Sequence, residues 1–370
     1  MPEKKGNKEN FKFWMRPKLK KYYSSKIEYL INIISEIIPD HISNSFIQVA
    51  LGDNAQVFSN GELEKAMYQP MRQYLKVKGK LFRPLLTCMC IEGYGKDPNL
   101  FKPIIAISEM IHSSSLILDD IADASLLRRG SLCSHHIYGI PRAANASSAM
   151  TFYAFRLIQS ENLLLDPDLK MKLHEILLWE HYITNIGSAL DLGWAWKKQN
   201  DIPENEFIQH ILFRSCSYTY RHAARLGITV ARAPEPDHEK IFLYSTYLGI
   251  AFQLIDDILN LKPELNSWGK TIAEDITEGK RSLLVLNCLK KASKNDAHRL
   301  LEILDGKVKD PIILEQGIQI LEKYKSFEYV QKQAEEYIER ACSILFETSI
   351  TDEYKSLFED FANYVIERKM

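Results

Sequence analysis

The sequence has no excess of charge: 47 basic side chains stand against 48 acidic ones in 370 residues, a formal net charge of -1. That balance excludes a broadly basic nucleic-acid surface as the organising feature. Paired cysteines are missing too. Cys88, Cys90, Cys133, Cys216, Cys288 and Cys342 form no CxxC unit, which argues against structural zinc and a disulfide framework and makes a reducing, cytoplasmic compartment the expectation. No apolar run approaches the roughly 20 residues that a spanning helix needs, and no Ser/Gly-rich stretch divides the chain. The first 21 residues carry eight basic side chains, Lys4 to Lys21, against Glu3 and Glu9, without the apolar core of a secretory signal. Residues 1–22 read as a flexible basic segment, either a solvated tail or a weak attachment to an anionic membrane surface.

Helical periodicity is what the chain has in quantity. Apolar residues recur every three or four positions around 62–77, 101–119, 172–196, 237–261, 281–303 and 315–345, whereas strand-like alternation is rare. The punctuation falls at Pro84, Pro167, Pro203, Pro234, Pro236, Pro263 and Pro311. The expectation is an all-α chain with one helical domain over 23–370, a polar loop around 262–279 and a hinge-like break near 231–238.

Two of these apolar runs end in carboxylates. Asp119-Asp120-Ile121-Ala122-Asp123 closes one, and Asp256-Asp257-Ile258-Leu259-Asn260 closes the other, with Gln253 one turn before Asp256. Unpaired negative charge is costly beside apolar surface, so two such clusters facing one cavity call for cations. Oxygen ligands select Mg²⁺ or a similar hard divalent ion, and carboxylate-held Mg²⁺ recruits substrate phosphates. Basic residues follow each cluster: Arg128-Arg129 after the first, Lys270 and Lys280 after the second. Lys78, Lys80 and Arg83 form a third group. Cations beside metal carboxylates point to bound phosphate groups. The Gly269-Lys270-Thr271 step lacks the full GxxxxGK[ST] spacing and a preceding strand, so it is no P-loop.

Over residues 60–290 the ordered set resembles the trans-isoprenyl diphosphate synthase family. Gly79-Lys80-Leu81-Phe82-Arg83-Pro84 is similar to its GKxxRP element, and Asp119 to Asp123 match its first DDxxD motif. Phe252-Gln253-Leu254-Ile255-Asp256-Asp257 and Glu274-Asp275-Ile276-Thr277-Glu278-Gly279-Lys280 match its later elements. Asn260, Tyr138-Gly139-Ile140-Pro141 and the EDxTEGK pattern look most like geranylgeranyl diphosphate synthases of the eukaryotic type. Four positions depart from the family pattern: Ser188 for glutamine, Arg214-Ser215 for Lys-Thr, and Leu132 for proline.

The resemblance implies the isoprenoid synthase fold, with helices around a deep central cavity, and a homodimer. It implies Mg²⁺, three ions per site, held by Asp119, Asp123 and Asp256, with Asp120, Asp257 and Asn260 as weaker partners, acting through water or from behind the direct ligands. Arg128, Arg214, Gln253 and Lys270 would assist at the allylic diphosphate, next to Ser215. Lys80, Arg83, His112 and Arg129 would bind isopentenyl diphosphate, and Lys280 would stabilise a closed loop. The reaction would be head-to-tail condensation of the two diphosphates. Ser114 and Ser115, roughly one turn deeper than Asp119, would leave room for a geranylgeranyl product. Two alternatives stay open: a class I terpene synthase, and a regulatory subunit of a heteromeric synthase.

Overall fold

The computed structural model describes residues 14–44, 46–47, 60–76, 79–262 and 273–368. Its helices of at least eight residues are α1 (Pro17–Ile37), α2 (Gln69–Lys76), α3 (Phe82–Gly93), α4 (Lys102–Ala122), α5 (Ile140–Arg156), α6 (Pro167–Lys197), α7 (Glu204–Ile211), α8 (His222–Val230), α9 (Glu235–Leu261), α10 (Leu283–Lys291), α11 (Lys294–Asp305), α12 (Pro311–Lys323), α13 (Ser326–Phe346) and α14 (Asp352–Glu367). Among the described residues the β structure is one antiparallel pair, β1 (Leu127–Arg128) with β2 (Ser131–Leu132). The fold is all-α, as expected.

Several boundaries differ from the periodicity. α1 begins at Pro17 and buries Leu19 and Tyr23, so the basic segment turns helical before its expected end at residue 22. The 281–303 run divides into α10 and α11, because Ser293 accepts a hydrogen bond from the Asp296 N–H at 3.2 Å and caps a new helix. The 315–345 run breaks at Lys325, whose φ is 56°. α3 and α8 went unseen because almost every residue in them is buried, which erases the amphipathic period. One helix, α9, is long and apolar enough to cross a membrane by length and composition, contrary to the reading that no such run exists. In that window 67% is buried inside the fold, where α9 packs along α13.

Four elements position the site. α4 starts with Pro103 in its first turn and buries Ile104, Ile107, Ile111 and Ser114, which orients its end toward the cavity. It stops at Asp123, and the next residue, Ala124, has φ 49°. α9 starts with Pro236 and with Glu235 and Asp237 in its first turn, charges that suit the positive end of a helix. α6 starts where Asp166 accepts from the Leu169 N–H at 2.9 Å. Between α7 and α8 the chain widens into π turns over Leu212–Arg221, a form found mostly at functional sites. α6 meets this π segment at Gly187, where a Cβ would lie 2.3 Å from the Arg214 nitrogen. Only glycine permits that approach.

Candidate active site

A cavity of about 500 Å³ collects residues from the ends of α4 and α9, the face of α6, the π segment, the turn before α3, and the C-terminal Arg368. Asp119 and Asp123 line it from α4. Asp256, Asp257 and Asn260 line it from α9, and Asp275 joins them. Burial raises the Asp119 carboxyl above its ordinary range, with Arg214 opposing and Asp123 adding to the rise. Burial and then Asp275 push Asp257 well above that range. Burial is the main cause at both.

Asp120 departs from its expected place. It is fully buried and lies outside the cavity lining. The Tyr74 hydroxyl donates to its Oδ2, and Arg128 clamps it through Nε, at 2.9 Å to Oδ1, and through Nη2. Arg128 reaches the cavity edge but spends its fork on Asp120, so the pair fixes β1 to the end of α4. Asn260 is also engaged locally: its Oδ1 accepts from the Asp275 N–H at 3.1 Å, which anchors the chain where it returns after residues 263–272. Lys270 lies outside the described residues, as does Lys78.

Arg214 sits between Asp191, 3.2 Å away, and the Asp119–Asp123 group. Burial alone would lower its pKa, but Asp191 and Asp119 overcome that and raise it. Burial would lift the Asp191 carboxyl, yet Arg214 and then His210 hold it below the usual range. Ser215 donates to Gln253 Oε1 at 2.7 Å, and Gln253 Nε2 donates to Asp257 at 2.7 Å. The relay from the π segment to α9 sets the rotamer of Asp257. Lys280 bridges Asp275 at 3.1 Å and Glu278 at 2.5 Å.

The basic part of the wall is formed by Lys80, Arg83 and Arg129, with His112 beside them. Gly79 lets Arg129 pass close, since a Cβ there would meet its guanidinium at 2.8 Å. Burial lowers Lys80 to about 7, and Arg368 adds to the fall. Burial and then Arg83 drive His112 well below its ordinary value, and its Nδ1 is buried without a partner. Arg83 donates to Thr219 at 3.2 Å but leaves its buried Nε unpaired. Orphaned donors and mutually repelling cations make a receptive place for an anion.

Sequence reading missed four participants. Tyr218 lies beneath this wall, stacked on His112 at 6.1 Å and under Arg83 at 5.6 Å. Its place follows from π turns that no 3.6-residue period anticipates. Glu109, 3% exposed, backs the arginines, whose charge opposes its burial. Tyr74 holds Asp120. Arg368 binds Asp256 at 2.5 Å, and no local motif announced it. Below the charged rim the lining turns to Ser114, Ser115, Thr151, His181, Thr184 and Ser188.

The donor set suits Mg²⁺ in kind but forms no finished cage. Among the described residues no three carboxylate, imidazole or thiol groups are grouped to hold one ion. That is the way Mg²⁺ is usually held, by one or two carboxylates with the remaining positions filled by water and substrate phosphate.

Known proteins similar to this chain fall in one family. The geranylgeranyl diphosphate synthase of Sulfolobus acidocaldarius is 27% identical over 328 residues, 89% of this chain and 93% of its own. A terpene synthase of Matsumurasca onukii is 28% identical over 276 residues, 73% of this chain and 84% of its own. The crystal structure of geranylgeranyl pyrophosphate synthetase from Pyrococcus horikoshii superposes with a TM-score of 0.80 at 24% identity, over 94% of this chain and 99% of that one. The polyprenyl synthetase family model matches residues 64–321, and the chain belongs to that family.

Proposed function

We propose that the chain lengthens an allylic isoprenoid diphosphate by head-to-tail condensation with isopentenyl diphosphate, and that it needs Mg²⁺. The observation that carries this reading is one cavity whose lining combines carboxylates from two helix ends with the cations Lys80, Arg83 and Arg129. One anionic substrate suits the carboxylates through metal, the other the cations directly.

Asp119 and Asp123 on α4 and Asp256 on α9 would hold the ions, the family-like number being three. Bound there, the metal supplies Lewis acidity for the departing diphosphate. Arg214 adds fixed positive charge where negative charge develops, so it favours the transition state over the ground state. The Arg83 fork and Lys80 hold isopentenyl diphosphate with its double bond toward the allylic C1. The C1–O bond breaks first and leaves an allylic cation at C1. The isopentenyl double bond then attacks C1 to form the new C–C bond, and the released diphosphate takes the proton whose loss restores the alkene. Arg128 supports the allylic side by fixing Asp120 and β1 rather than through a free fork. The walls of α4 and α6 exclude water from the cationic carbon.

Incubation with farnesyl and labelled isopentenyl diphosphates and Mg²⁺ tests the reading. The expected product is labelled geranylgeranyl diphosphate, lost on chelation. Hydrocarbon formed from farnesyl diphosphate alone would instead support a terpene synthase, the class to which one relative belongs. Absence of product without a second chain would favour the regulatory-subunit reading.

Product length rests on Ser115. Ser114 is committed to α5 through hydrogen bonds to Ser147 and Thr151. The Ser115 hydroxyl is satisfied by the Ile111 carbonyl at 3.0 Å, which leaves a small, internally paired side chain at the cavity wall. Ser115→Phe is expected to shift the products toward farnesyl diphosphate, read by chromatography after dephosphorylation. An unchanged distribution from a folded, active variant would reject the gate.

The homodimer and the cytoplasmic setting belong to the same proposal. α6 exposes Leu178, Trp179, Tyr182 and Ile186, and its Trp196 is 88% exposed. A run of large apolar side chains along one helix suits a second copy, and a solution mass of twice 42.8 kDa is expected. All six cysteines are free thiols, which fits a reducing compartment.

A further inference from the structure

Arg368 follows α14 and turns inward. The residue is 5% exposed, and its guanidinium carbon lies 3.9 Å from the centroid of the Phe252 ring. Nε donates to the Val365 carbonyl at 3.2 Å. Nη2 donates to the Phe252 carbonyl at 3.1 Å and to Asp256 Oδ1 at 2.5 Å. The two partners differ in exposure: the Asp256 side chain is 31% exposed and that of Arg368 is 4% exposed, and Lys80 stands near enough to Asp256 to feel its charge. Asp256 thus keeps an open flank toward the cavity while its inner flank meets a buried cation.

A divalent ion placed on Asp256 would stand beside that guanidinium. Like charges a few ångströms apart in a poorly screened cavity repel strongly, so ion and arginine compete for one carboxylate. We propose that Arg368 holds the place of a divalent ion on Asp256 while the metal site is empty, and that metal binding exchanges the arginine off the carboxylate. The inference rests on the reading of Asp256 as a metal-holding residue. Arg368 is in this sense a positioning residue. It keeps the Asp256 rotamer directed to the cavity in the resting enzyme, and it sets metal affinity through the fraction of time it occupies the site. Displacement of Arg368 also loosens the turn that follows α14, which ties metal loading to the C-terminal end of the described chain.

Mn²⁺ titration of the full chain without substrate, followed by electron paramagnetic resonance, reads the exchange directly. If the arginine occupies Asp256 nine-tenths of the time, removing its charge tightens binding about tenfold. Arg368→Gln is therefore expected to bind Mn²⁺ about tenfold more tightly than wild type, and Arg368→Lys to stay near wild type. Unchanged or weaker binding by a folded Arg368→Gln would overturn the proposal, because an arginine that merely pins the chain end has no reason to oppose metal. Asp256→Asn gives a route that leaves Arg368 in place. It should accelerate hydrogen exchange around Val365–Arg368 without metal, as Mn²⁺ should do in wild type. Unaltered protection in both would also overturn it. Mn²⁺ binding that ignores Arg368 sinks this inference alone, whereas no Mn²⁺ binding to any of these proteins removes the metal reading as well.

Discussion

Asp119→Ala should lower turnover on the order of 10³-fold, because it removes a carboxylate that holds the ions on which the leaving diphosphate depends. The same change should leave thermal stability close to wild type. Asp119 has no ion-pair partner among the described residues, and burial already raises its carboxyl, so the empty fold gains little from its charge. The neighbouring residue provides the contrast. Asp120 is bound by Tyr74 and Arg128 out of the cavity, and Asp120→Ala would strand a largely buried guanidinium. That variant should lose stability, and its activity should follow the folded fraction. Steady-state kinetics beside thermal melting separate the two. An Asp119→Ala enzyme with normal Mg²⁺-dependent turnover would show that the chemistry lies elsewhere.

Glu180→Ala is expected to cost about 3–5 kcal/mol of stability, the usual consequence of removing one member of a buried ionic cluster. Glu180 lies on α6 and is 1% exposed, as is Arg221 at the end of the π segment. Arg221 donates to Glu180 Oε2 through Nε at 2.8 Å and Nη2 at 2.6 Å. Arg225 on α8 donates to Oε1 at 2.6 Å. Alanine would leave Arg221 charged, buried and without its carboxylate, still facing the Phe242 ring at 4.7 Å. The cluster also fastens the segment that presents Arg214, Ser215 and Tyr218. Urea unfolding measures the loss, and Glu180→Gln, which keeps an acceptor, should lose less. A loss under about 1 kcal/mol, the range of exposed ion pairs, would mean the cluster is better solvated than its geometry implies.

Much of the site could be read from the sequence because its residues come in short, ordered groups. Asp119 and Asp123 are four residues apart and share a helix face, and Asp256 and Asp257 end an equally apolar helix. The grouping of Asp120 with them was the weak step. Successive helical residues are rotated by about 100°, so Asp120 points away from the face that Asp119 and Asp123 share. The pairing with Tyr74 and Arg128 makes use of that rotation.

What stayed hidden is long-range or irregular. Arg368 lies 112 positions from Asp256, and no periodic pattern links them. The π segment cannot be found with a 3.6-residue template, and Tyr218 was missed with it. Helices α10 to α13 were read as two long helices because both sides of each break keep their apolar faces inward. The capping Ser293 and the positive φ of Lys325 are the residues that mark the breaks. The order of the basic groups and the family resemblance put the cations in the right neighbourhood, but only the fold shows which are spent on partners. Arg128 is clamped to Asp120, while Arg83 keeps an unpaired Nε.

The central claim is that the ends of α4 and α9 jointly hold divalent ions around a diphosphate. Crystals grown with Mn²⁺ and inorganic diphosphate, recorded on both sides of the manganese absorption edge, test it directly. The account predicts anomalous peaks between diphosphate oxygens and Asp119 or Asp123 on one side and Asp256 on the other, with Arg368 withdrawn from Asp256. Diphosphate bound without manganese at either helix end, or manganese confined to sites away from both, would contradict it.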